Sequence, residues 1–121
     1  MTPLVAVAVI LAGAVGAVVR YLVTLALAGR RGFPWAVLAV NVAGSLLGGA
    51  VLALADRAAI GADVRLVLLT GLCGGLTTFS TFSVETVQLV LDGKTGAAAS
   101  GVALNLVLGV GACALGYVLF A

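Results

Sequence analysis

A chain of 121 residues that is 64% hydrophobic and 8% charged, with a mean hydropathy of +1.35, is too apolar for a soluble domain and falls in the integral-membrane class. Its formal charge of +2 comes from six Lys or Arg and four Asp or Glu scattered along the chain, which argues against a nucleic-acid surface. At about 20 to 25 residues per span the length accommodates four transmembrane helices as one membrane domain over residues 1–121, with almost no extramembrane part, so any chemistry lies inside the bilayer.

The first predicted span is residues 4–28. No basic stretch precedes it, so it is expected to stay in the mature protein and not to be removed as a signal peptide. Gly13, Gly16 and Ala17 form a small-residue face suited to close helix packing, and Arg20 lies one turn after Gly16 on the same side. Two readings of Arg20 stand side by side: an arginine that snorkels to lipid phosphates, and a cation that attracts an anion. The Gly29–Pro34 segment reads as a basic turn, with Trp35 at the interface position where aromatic belts anchor a span.

The second span is predicted over residues 35–55. Asn41, Ser45 and Gly48 or Gly49 recur at one-turn spacing and therefore share a face that meets another helix. Asn41 can hold two helices together there, or turn its amide hydrogens toward an anion. Residues 56–65 form a short mixed-charge connection.

The third predicted span, residues 66–91, would measure about 39 Å as one straight helix, longer than the roughly 30 Å hydrocarbon core. Gly71, Gly74 and Gly75 lower helix propensity just before Thr77, so the span is predicted to be interrupted near its middle. Irregular backbone at that depth is tolerated only where it is buried in protein, holds an ion or lines a wet cavity, which makes the break itself a mark of a site. Five of the seven residues Thr77–Ser83 are Thr or Ser, and the other two are Phe79 and Phe82. Their i, i+3 spacing puts both rings on one helix face; they either pack as ordinary apolar residues or present positive ring edges to an anion. Glu85 is the only carboxylate within a span, either a functional acid or a residue at headgroup level.

Residues 92–96 make a tight loop and residues 97–121 the fourth span, whose Gly101, Asn105 and Gly109 continue a narrow face. There is no His, no cysteine cluster, no phosphate-binding loop and no nucleophile elbow, so enzymatic chemistry lacks its reagents. Cys73 and Cys113 read as small buried hydrophobes. Arg30, Arg31 and Lys94 fall on one side of the membrane and Arg57 and Arg65 on the other, a difference of one charge. So weak a bias permits insertion in both orientations, and therefore an antiparallel two-fold dimer in which the broken third spans meet.

Three blocks, GAVVRY (residues 16–21), NVAGSLLG (41–48) and GLCGGLTTFSTFSVE (71–85), resemble the CrcB/Fluc family of fluoride channels. The resemblance implies an all-α, dual-topology dimer with two antiparallel fluoride pores in the cell inner (plasma) membrane, passively exporting fluoride from the cytoplasm and lowering its toxicity. It also implies a structural sodium ion at the dimer centre, held by backbone carbonyls. Carried over residue by residue, it puts Asn41, Phe79 and Phe82 in the pore, Arg20 in a vestibule, and the carbonyls of Gly74 and Thr77 on sodium. Thr78, Ser80, Thr81 and Glu85 match the same motif and are taken with the pore, as is Asn105. One departure is in the fourth span, where Gly101 and Asn105 stand in place of a Tyr and Ser track. It leaves open a heterodimer with a related chain, or a non-conducting partner subunit, beside the homodimer. A small multidrug-type proton exchanger is the other four-helix reading, but it calls for an acid in the first span, and residues 4–28 have none.

Overall fold

The structure, a computed structural model, describes residues 1–121. Helix α1 spans Pro3–Ala26 and α2 spans Trp35–Asp56. The third span runs from residue 62 to residue 91 in pieces: α3 (Ala62–Leu66), a π-helical stretch (Val67–Cys73), α4 (Gly74–Leu76) and α5 (Phe79–Leu91). Helix α6 spans Thr95–Phe120. All four spans are long and apolar enough to cross a membrane, so the chain is a multi-pass membrane protein with termini on one side and the 27–34 and 92–94 turns on the other.

Local chemistry sets the ends. The Thr2 hydroxyl caps α1 by accepting from the Val5 N–H at 3.3 Å, and Pro3 occupies the first turn, where no N–H is needed. The α1–α2 and α5–α6 turns pass through Gly32 (φ +90°) and Gly93 (φ +76°), a left-handed region that a Cβ would strain. Helix α1 stops two residues short of the expected Ala28, and the third span starts four residues earlier than expected, at Ala62.

Close glycine contacts hold the bundle together. Gly49 lies against the backbone of Cys113 and Tyr117, and Gly116 against that of Leu46 and Ala50, which draws α2 and α6 together from both sides. Gly13 and Gly16 do the same between α1 and the third span, opposite Gly71, Leu72 and Gly75. In lipid the apolar exterior offers no hydrophobic drive for association, so this backbone approach supplies the packing energy. Val37, Leu38, Val40, Val51 and Ala53 make α2 the buried element, with Cys73, Leu76 and Ala98 packed around it.

The glycines of the third span therefore act differently from the sequence expectation. The chain remains helical through Gly71, Gly74 and Gly75, and Gly71 and Gly75 serve close contact with α1. The helix opens one step later, at Thr77 (ψ 156°) and Thr78 (φ −148°, ψ 120°), both extended. Thr78 then caps α5 by accepting from the Thr81 N–H at 3.1 Å. A β-branched residue is at ease in the extended region, so the two threonines end one helix and start the next. The break is about midway along the span, as expected.

The contact between α1 and the third span sets up a stability prediction. A side chain at Gly75 would run into the backbone of Gly13, so Gly75→Val is expected to cost about 1–3 kcal/mol, read as a lower unfolding midpoint in detergent. Gly96→Ala, where a Cβ meets nothing within 4 Å, should leave the midpoint unchanged. Equal stability of Gly75→Val and the parent would sink this account of the α1 contact.

Candidate functional site

The break exposes backbone groups, and the nearest elements answer them. Asn41 lies about 9 Å inside the start of α2, and Arg20 lies a similar distance from the end of α1. Asn41 grips Thr78 at both backbone groups: the Thr78 N–H donates to Asn41 Oδ1 at 2.8 Å, and Asn41 Nδ2 donates to the Thr78 carbonyl at 3.1 Å. Nδ2 also donates to Asn105 Oδ1 at 3.0 Å, and Asn105 Nδ2 donates to the Gly101 carbonyl at 2.9 Å. A hydrogen-bonded chain thus runs from α6 through α2 to the break, satisfying polar groups that lipid could not. Asn41 therefore joins α2 to the break and to α6, as the helix-linking reading expected, with both of its amide hydrogens given to protein acceptors.

Asn41, Thr77, Thr78, Phe79, Phe82, Asn105 and Leu106 line a cavity of about 280 Å³. The Phe79 and Phe82 ring centroids are 5.8 Å apart with planes inclined at 41°. Phe79 is 79% exposed, so its ring is not core packing in the single chain. A second cavity, also about 280 Å³, contains Arg20, Tyr21, Thr24, Thr78 and Thr81. Arg20 is its only charged lining residue, which makes the space electropositive. Thr78 lines both cavities and stands between them. Its hydroxyl donates to Thr81 Oγ1 at 3.1 Å and lies 3.3 Å from Ser80 Oγ.

Other expected site residues fall elsewhere. Ser80 lies beside Thr78 but lines neither cavity. Glu85 faces a separate space of about 200 Å³ with Gly32, Phe33, Pro34, Gln88, Leu89 and Asp92, and its Oε2 is buried without a partner. At Gly74 and Thr77 the helix end leaves carbonyls free: no backbone N–H donates to residues 74–77. Sequence reasoning missed Gly44, where a Cβ would strike the Thr77 methyl, and also Tyr21 and Leu106. Gly44 carried a signal in its i+3 spacing from Asn41 and Tyr21 in closing the GAVVRY block; Leu106 carried none.

A family model described as "CrcB-like protein, Camphor Resistance (CrcB)" matches residues 7–117, a range that contains every residue of both cavities. The chain belongs to the CrcB family. Among curated relatives, a Thermobifida fusca protein named "Fluoride-specific ion channel FluC 1" is 48% identical over 105 residues, covering 85% of this chain and 84% of the relative. Proteins named "Fluoride-specific ion channel FluC" from Geobacter sulfurreducens and Phocaeicola vulgatus are 46% and 42% identical over 120 and 104 residues. The first covers 96% of this chain and 91% of the relative; the second covers 84% and 86%. Against this CrcB background, the Asn41–Thr78–Asn105 linkage and the aromatic pair form the part of the chain best suited to handling a small ion.

Proposed function

We propose that this chain is the pore-forming subunit of a fluoride-selective passive channel in the plasma membrane, and not an enzyme. The observation that carries the reading is Thr78, the unwound residue standing between an Arg20-lined cavity and a cavity edged by Phe79 and Phe82. An anion drawn by Arg20 meets hydroxyls at Thr78 and Thr81, then amide hydrogens and ring edges. These are the groups that can replace water around a small, strongly hydrated anion. A narrow path of such donors favours fluoride over the larger chloride. The names of the relatives support the same substrate.

The pore is completed by a second copy in antiparallel orientation. Much of α1 and α6 is exposed and apolar in the single chain, which leaves faces for lipid and for a partner. The near-balanced loop charges support insertion in both orientations. In this assembly the free carbonyls of Gly74 and Thr77 from each copy hold a sodium ion on the two-fold axis. An uncharged oxygen set fits a monovalent ion, since a divalent one would call for carboxylates.

The test is anion efflux from liposomes containing this chain alone. Rapid fluoride efflux with chloride retained is expected, and Phe79→Ile or Phe82→Ile should lower it at least tenfold by removing the ring quadrupole while keeping an apolar side chain. Proton-coupled drug exchange without fluoride efflux would overturn the proposal. Silence from the chain alone, with efflux restored by a related subunit, would replace the homodimer with a heterodimer.

A further inference from the structure

We infer that Asn105, and not Asn41, presents the free amide N–H to the anion in the aromatic cavity, while Asn41 is occupied in holding the break open. This rests on the channel reading above.

A carboxamide has two N–H donors and one carbonyl oxygen. Asn41 has committed both hydrogens, one to the Thr78 carbonyl at 3.1 Å and one to Asn105 Oδ1 at 3.0 Å, and its oxygen accepts from the Thr78 N–H at 2.8 Å. Asn105 uses its oxygen to accept from Asn41 and one hydrogen to reach the Gly101 carbonyl at 2.9 Å. Its second hydrogen has no acceptor in the protein, although the residue lines the cavity beside Phe79 and Phe82.

The direction of this chain of bonds is set at both ends by backbone groups that cannot reverse roles. The Thr78 N–H can only donate, which pins Asn41 Oδ1; the Gly101 carbonyl can only accept, which pins Asn105 Nδ2. Flipping either amide would set like groups against each other. For Asn41 to serve an anion it would have to release the Thr78 carbonyl or Asn105 Oδ1 into a low-dielectric interior, where an unpaired polar group is costly. Asn105 can serve one without breaking a bond.

The decisive measurement follows the side-chain amide resonances of the ¹⁵N-labelled protein in micelles during titration with fluoride, with chloride as control. The Asn105 amide is expected to shift with fluoride and not chloride, and the Asn41 amide to stay nearly still. In liposomes Asn105→Asp should lose at least a hundredfold in fluoride flux, and Asn105→Leu at least tenfold. If Asn105 were only a brace, Asn105→Leu would release an Asn41 hydrogen and flux would persist or rise. That outcome, or a fluoride shift at Asn41 alone, overturns the inference. A conducting parent in which neither amide moves also overturns it while leaving the channel standing. A parent without fluoride flux removes the channel reading and this inference together.

Discussion

Asn41→Asp is expected to lower fluoride efflux at least a hundredfold while the protein still inserts and assembles. The carboxylate keeps the acceptor for the Thr78 N–H but loses both donated bonds, to the Thr78 carbonyl and to Asn105 Oδ1. Each oxygen left facing another oxygen costs about 1–3 kcal/mol. The new charge also stands in the cavity proposed as the anion path, where like charges repel. Assembly should survive because α2 packs through Val37, Leu38, Val40 and Gly49, which the substitution does not touch. Efflux from liposomes and the elution volume in detergent separate the two effects. Parent-like efflux in an assembled Asn41→Asp protein would remove this residue from the ion path.

Replacing sodium throughout with a large organic cation is expected to reduce fluoride flux at least tenfold or to dissociate the dimer, with no sodium current under any condition. The extended Thr77 and Thr78 leave the carbonyls of residues 74–77 without N–H partners. Unpaired carbonyls at mid-span are costly in lipid, and the proposed cation shared between two copies would offset that cost. In the proposed dimer, losing the ion would leave these groups unpaired. Full flux and an intact dimer after exhaustive sodium removal would exclude the site, and the carbonyls would then need ordered water or protein donors from the partner.

Several features were readable from residues alone because they depend on local rules. Four spans follow from hydropathy and length, and the break follows from a span too long for the bilayer that carries hydroxyls at its centre. The pairing of Phe79 with Phe82 follows from i, i+3 geometry, and the rings do lie together. The membership of the chain in the CrcB family was legible in three short blocks.

What only the tertiary structure decided is which polar group meets which. Propensity pointed to Gly71, Gly74 and Gly75 as the weak place, yet all three stay helical, Gly71 and Gly75 in close contact with α1, and the opening moves to Thr77 and Thr78. Glu85 belongs to the same sequence motif as Phe82 but faces the 32–34 turn, because the helix restarted by Thr78 carries it toward that end of the bundle. The link from Asn41 to Asn105 joins residues 64 positions apart. Spacing along a helix tells which residues share its face, but a bond between helices depends on their mutual height and rotation. Here the glycine contacts set both: by letting α2 and α6 approach to backbone distance, Gly49 and Gly116 bring the two amides within hydrogen-bond reach.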